Sequence, residues 1–307
     1  MLEYLTLNSK PVKKYLPIFF LFIFTAIPAF AEGEVVVIRS VKIAPYEEAL
    51  NGFKNTYNHE IKQIILAESP SFNINDEIGM TKPPLILAIG RDALMTAREI
   101  RGIPVIYIMV LSPNQIIDNQ KDFYGISMNV HPEKQLEAII SVIPGLNNIG
   151  LIFNPDNTLE LAEEAVKAAA KSNINLVIRR AEKPGDVANS LKAMAGSIKA
   201  FWMFPDVTLL TPESIELLLI TSMEREIPVL TFSDKYLEMG ALISVAVDPY
   251  DMGLQAGELA TGILANGSKI ENRRMFARKG IITLNKKVAD KIGIELKPDA
   301  ERESKKD

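Results

Sequence analysis

Short, almost wholly apolar runs alternate with helix-period segments along most of this chain, most densely between residues 200 and 257. Ala200–Phe204 is apolar and breaks at Pro205-Asp206. Thr211-Pro212-Glu213 opens a helix that stops near Glu226, and Ile227-Pro228-Val229 starts a second apolar run ending at Phe232-Ser233-Asp234. After Gly240 a third run covers Ala241–Val247, and Asp248-Pro249 opens another helix. Runs this short, without polar alternation, fit strands buried on both faces, as in a parallel sheet covered by helices. In such sheets ligands sit just beyond the carboxyl ends of the strands. Asp206, Phe232, Ser233 and Asp248 fall at or just past such ends and are candidate ligand contacts.

The same alternation runs upstream. Glu34–Ser40, Ile61–Leu66, Leu85–Ile89 and Ile103–Val110 read as strands. Pro45–Asn58, and a segment from Arg91 or Asp92 to Gly102, read as helices, while Ser69–Lys82, rich in Asn, Pro and Ser, reads as a connection. Pro132 suits the first turn of a helix that Pro144-Gly145 ends. Ile149–Phe153 and Leu176–Ile178 are strands, and Val187–Ala195 is a helix. Asn157, with Glu160 three residues on, has the spacing of a capping box, opening a helix with Leu159, Ala162, Val166 and Ala169 inward. Ile281–Leu284 is a last strand, and Asn285 caps a short helix to Ile292. Leu85–Val110 and Ala200–Asp234 share one plan: apolar strand, break, helix, then Ile-Pro-Val opening the next strand. The fold class is α/β, with two Rossmann-like lobes built on parallel sheets.

Function classes narrow from there. The chain has no cysteine, which excludes disulfides, thiolate metal sites, a cysteine nucleophile and lipid attachment through cysteine. Lys10, Lys13 and Lys14 precede an apolar run from Tyr15 to Phe30 that ends in Ala29-Phe30-Ala31, the pattern of a secretory signal peptide over residues 1–31. The run carries Pro17 and Pro28 and is short for a membrane span, which needs roughly 20 apolar residues. Losing its three lysines and one glutamate takes the formal charge from −4 to −6, so a nucleic-acid partner is not expected. Without a lipid anchor, the compartment that would retain the mature protein is a periplasm. Residues 298–307 form a charged, disordered tail.

Catalytic chemistry has little to stand on. His59 and His131 each lack a companion motif, and no phosphate-binding loop, dinucleotide fingerprint, nucleophile elbow or zinc-protease pattern occurs. No metal or cofactor is expected. An amino-acid-like ligand would need a carboxylate for its ammonium and donors for its carboxylate. Asp206 could supply the first, or could be a turn residue after Pro205. Ser40, Ser112, the helix start at Gly90, Arg91 and Asp92, and the Arg91 side chain could supply the second. Arg91 also reads as a solvated surface charge, and Asp248 as the cap of a helix with Pro at its first position.

The order and spacing of several short motifs carry a family resemblance. They are Pro104-Val105 with Ser112-Pro113, Tyr124-Gly125-Ile126-Ser127, Phe204-Pro205-Asp206, Phe232-Ser233, Gly240-Ala241, the run from Asp248 to Gly257, and Asn285–Gly293. In these the chain, from about Val35 to Leu296, resembles the substrate-binding proteins of ABC importers with the type I periplasmic-binding fold, in the branch with tryptophan- and phenylalanine-binding members. The resemblance implies two lobes, residues 32–129 plus 247–271 and residues 130–246 plus 272–297. Three crossings, near Asn129-Val130, Val247 and Glu271-Asn272, would join them. It implies a monomer that closes on a small organic ligand, an amino acid or related compound, and presents it to an ABC permease in the membrane. Gly90-Arg91-Asp92-Ala93 and Leu111-Ser112-Pro113 depart from the family's usual Gly-Thr-x-Ala and Thr-Asp-Pro, on loops that would face the ligand. Three rivals remain. One is a ligand-sensing subunit for a membrane receptor or kinase, and another a periplasmic α/β enzyme. The third is a sugar binder, disfavoured by the few aromatic residues at strand ends.

Overall fold

The computed structural model describes residues 34–117, 121–143, 145–266 and 272–296. The signal segment, Pro144, Glu271 and the charged tail lie outside the described residues. The first sheet holds β1 (Val35–Arg39), β2 (Ile61–Ile65), β3 (Ile86–Ile89), β4 (Val105–Ile108), β5 (Phe123–Val130) and β11 (Arg274–Ala277), in the order β11-β5-β4-β3-β1-β2. The second holds β6 (Asn148–Phe153), β7 (Asn175–Arg180), β8 (Ala200–Trp202), β9 (Val229–Thr231), β10 (Ile243–Val247) and β12 (Gly280–Leu284), in the order β12-β10-β9-β8-β6-β7. Every pairing is parallel except β10 with β12. The two orders superimpose strand for strand, and the repeated Ile-Pro-Val units become β3–β4 and β8–β9 at equivalent places in the two sheets.

Central strands are buried throughout, as their unbroken apolar runs require: Val35–Ile38, Ile86–Ile89 and Val105–Ile108 have almost no exposed surface. Helices cover both faces of each sheet. They are α1 (Ala44–Thr56), α2 (Ile74–Thr81), α3 (Arg91–Ala97), α4 (Asn114–Ile117), α5 (Pro132–Val142), α6 (Pro155–Lys171), α7 (Gly185–Met194), α8 (Pro212–Glu224), α9 (Lys235–Glu238), α10 (Pro249–Asn266) and α11 (Lys286–Lys291). Local chemistry starts several of them. Thr211 and Ser214 form a reciprocal capping box on α8, and Asn285 accepts from the Val288 N–H at 3.1 Å to start α11.

The chain passes between sheets three times, after β5, after β10 and between β11 and β12. The third passage therefore lies at Arg278-Lys279 and not near Glu271-Asn272, because β11 pairs with β5 in the first sheet before the chain leaves it. On the second passage α10 leaves the second sheet and packs along α1. That contact is backbone to backbone: a Cβ on Gly52 would lie 2.0 Å from the Tyr250 carbonyl oxygen, and one on Gly253 1.9 Å from that of Ala49. The glycines in the run from Asp248 to Gly257 thus serve helix packing.

Other expectations are corrected. The Ser69–Lys82 connection contains α2, capped by Asn73, whose side chain accepts from the Asn75 N–H at 3.0 Å. Helix α6 starts at Pro155 because Asn154 is its cap, accepting from the Asp156 N–H at 2.8 Å, and Asn157 sits inside the first turn. With the start moved, Leu159 and Val166 face solvent, and Leu161, Ala162, Ala165, Ala168 and Ala169 form the inner face.

Candidate functional site

The two lobes face each other across a cleft beside the passages between sheets. Its first-lobe wall is built by Tyr107, the segment from Val110 to Asn114 beyond β4, and residues 125 and 127–129 of β5, together with Arg274, Met275 and Phe276 of β11. The second-lobe wall is Pro205, beyond β8, and Asn157, Thr158, Glu160 and Leu161 in the first turns of α6. The enclosed space is about 120 Å³ and opens to solvent. Polar and apolar groups share the walls, as small-molecule sites require.

One row of residues organises the first-lobe wall. Tyr107 on β4, Gly125 on β5 and Arg274 on β11 are in register across three adjacent strands. A Cβ on Gly125 would lie 2.0 Å from Cζ of Tyr107, so the tyrosine ring lies flat across the space that a side chain at 125 would fill. The ring thereby spans β5 toward Arg274, which sits beside it in the same row. Burial pushes the Tyr107 phenol above its ordinary value, Arg274 draws it down, and Glu160 across the cleft pushes it up. Tyr107 therefore lies within the electrostatic reach of an acid on the opposite lobe.

Of the residues nominated from the sequence, Ser112 lines this cleft, in a left-handed backbone conformation with φ of 49°. Asp206 lies one layer behind it, 1% exposed. One carboxylate oxygen accepts from the Asn154 N–H at 3.0 Å and the Thr158 hydroxyl at 2.8 Å. The other accepts from the N–H groups of Thr208 and Leu209 at 3.1 and 3.2 Å and from Asn157 Nδ2 at 3.4 Å. Asp206 thus fixes the turn after β8 and the start of α6, and through Asn157 and Thr158 it shapes the cleft wall.

The remaining nominees stand away from that wall. Ser40 Oγ accepts from the Ala93 N–H at 3.0 Å and caps α3, because Gly90, the residue before the helix, has no side chain to do so. Gly90 has φ of 93°, and a Cβ there would meet the Tyr46 and Ser40 hydroxyls within 2.7 Å. Arg91 and Asp92 are exposed on the first turn of α3. Phe232 packs edge-on to Tyr236 against the second-lobe core, and the Ser233 carbonyl accepts from the Tyr236 N–H at 3.2 Å. Asp248 caps α10, accepting from the Asp251 N–H at 3.1 Å and from Lys279 Nζ at 2.6 Å. Burial pushes its carboxyl up, but Lys279 and the backbone N–H groups of Asp251 and Tyr250 outweigh that and hold it below the ordinary value.

Among the residues that line the cleft without being nominated are Tyr107, Asn157, Glu160 and Arg274. The row of Tyr107, Gly125 and Arg274 is not readable in the sequence, because it is a register between paired strands and β11 opens on a charged residue. No cluster of acidic or histidine side chains able to hold a metal occurs among the described residues.

The family model "ABC transporter substrate binding protein" matches residues 51–305, most of the chain. The chain belongs to the ABC transporter substrate-binding protein family. A curated relative, the tyrosine-binding protein of Clostridioides difficile (strain R20291), is 24% identical over 196 residues, 61% of this chain and 56% of that protein. The chain thus spans a little over half the length of that relative. Solved structures share the fold of this substrate-binding protein. A ligand-free, open substrate-binding protein with adhesive properties from Clostridium difficile has a TM-score of 0.61 at 19% identity, covering 87% of this chain and 96% of that one. The ABC domain of Streptococcus pneumoniae in complex with L-Trp has a TM-score of 0.55 at 18% identity, covering 89% and 98%.

Proposed function

We propose that this substrate-binding protein is exported behind a signal peptide of residues 1–31 and works as a monomer in the periplasm. Its two lobes close on an amino acid or related compound and deliver it to an ABC permease. The first lobe comprises residues 34–130 and 248–277, and the second residues 131–247 and 280–296, following the sheets. The observation that carries this reading is a cleft walled by both lobes, with polar and apolar side chains on its walls. A ligand touching both walls favours the shut form by its extra contacts there, which is how ligand state becomes a shape a permease can recognise. The relatives named above for tyrosine and tryptophan support the ligand class.

Mass spectrometry of the protein purified under native conditions, followed by a melting screen with the twenty L-amino acids, tests the reading. A ligand at a hundred times its dissociation constant adds about 2.7 kcal/mol of stability, so a true ligand raises the melting temperature by several degrees. A screen in which no amino acid moves it, with no amino acid co-purifying, contradicts the ligand class. Export is checked separately: secreted protein should begin at Glu32, and retention of residues 1–31 would contradict it.

A further inference from the structure

The cleft brings one basic and one acidic side chain to opposite walls: among the described lining residues, Arg274 and Glu160 are the charged ones. Arg274 belongs to the first lobe and Glu160 to the second. The groups that the sequence offered for the same tasks are committed elsewhere, since both oxygens of Asp206 accept from protein donors and Ser40 caps α3. Arg274 stands in register with a tyrosine that is 2% exposed, whose ring extends toward it across position 125, which carries no side chain. A planar guanidinium fixed in advance is the side chain best suited to grip a carboxylate, because little rotamer freedom is lost on binding.

We propose that Arg274 anchors the carboxylate of the ligand, with Tyr107 laid over Gly125 as its positioning residue, and that Glu160 receives the ligand's ammonium from the opposite lobe. The cleft then selects zwitterionic α-amino acids, acid end on the first lobe and ammonium end on the second. Met128, Leu161 and Phe276 line the space left for an apolar side chain. Because the two charges of one small molecule are held by different lobes, both are satisfied only when the lobes are together, and ligand binding and closure become one event. This inference rests on the reading of the cleft as an amino-acid site.

Titration calorimetry on the full chain tests it, with the twenty L-amino acids, the α-amide of the one that binds most tightly, and the corresponding des-amino acid. The amide should bind the wild type about 10- to 100-fold more weakly than the acid, the range for losing a charge-assisted hydrogen bond. Arg274→Gln should weaken the acid by a similar factor and leave the amide nearly unchanged, with Arg274→Lys recovering part of the loss. Tyr107→Phe should lower the acid-to-amide preference by a smaller factor, a change that mere structural damage would not produce. Glu160→Gln should weaken the amino acid but not its des-amino analogue. Melting of each ligand-free variant close to the wild type shows that the fold is kept. If an amino acid binds and its amide binds equally well, or Arg274→Gln leaves its affinity intact, this inference fails and the amino-acid reading survives. If no amino acid binds the wild type, the reading fails and takes the inference with it.

Discussion

Asp206 stands just past a strand end, where its carboxylate is engaged by protein donors that fix the turn after β8 and the start of α6. Its carboxylate holds the N–H groups of Asn154, Thr208 and Leu209 and the Thr158 hydroxyl in a site closed to water. Removing it strands several buried donors, each costing about 1–3 kcal/mol when left unsatisfied. Asp206→Ala should therefore destabilise the fold by more than about 3 kcal/mol in urea unfolding. An unchanged midpoint would show that these hydrogen bonds do not form. Gly125 is the other residue whose role is steric. A methyl there collides with the Tyr107 ring, and overpacking of this kind costs about 1–3 kcal/mol. Gly125→Ala should lower stability by that much and shift Tyr107 off Arg274. A variant with wild-type stability and wild-type ligand affinity would contradict the arrangement. Neither role was legible in the chain, because a turn aspartate and a ligand aspartate look alike without their donors, and a glycine does not announce which ring lies over it.

Among the elements, α10 ties the second sheet to the first lobe, and its attachment depends on two features. Gly52 and Gly253 let it approach α1 until backbone touches backbone. Replacing Gly253 by Ala gains about 1 kcal/mol of helix propensity, but the overlap with the Ala49 carbonyl lies on backbone that cannot rotate away. The collision should win, so Gly253→Ala should be less stable than wild type; a more stable variant would refute the close packing. The second feature is Asp248 at the start of α10, bonded to Lys279 on the third passage. A carboxyl depressed in the folded state contributes stability above its unfolded pKa, about 3.9, and loses it as pH falls through the lower folded value. Asp248→Asn keeps a capping side chain and loses the ion pair. It should melt below wild type at pH 7 and converge with it as pH falls through the lower folded value. A gap that persists in acid would mean that the aspartate's charge is not what stabilises this start.

Across these elements, legibility tracked apolar continuity. β1, β3, β4 and β8–β10 stand where their unbroken runs put them, and the repeated Ile-Pro-Val plan is realised as matching strand orders. β5 and β11 escaped because Gly125, Ser127 and Asn129 interrupt one and Arg274 opens the other. Those same interruptions line the cleft, so the strands hardest to read were the ones that carry the site.

At the scale of the whole molecule, the cleft lies along the edge where the chain crosses between sheets, and the ends of β1 and β3, where Ser40 and Gly90 sit, are not part of its wall. The buried Trp202 links the lobes' framework at that edge. Its Nε1 donates to Gln135 at 2.9 Å, and Gln135 Nε2 donates to the Val130 carbonyl at 2.7 Å, tying β8 through α5 to the first passage. Gln135→Leu would leave the indole N–H and this carbonyl buried without their bonds, and should cost about 1–3 kcal/mol; a neutral effect in thermal unfolding would contradict that link. The account turns on closure, and the absence of cysteine makes closure easy to measure. Spin labels on Met95→Cys and Lys235→Cys, exposed positions on α3 and α9, report the separation of the two lobes by electron–electron double resonance. Adding the amino acid that most raises the melting temperature should shorten and narrow the measured distance distribution, and a distribution unchanged at saturating ligand would contradict the account.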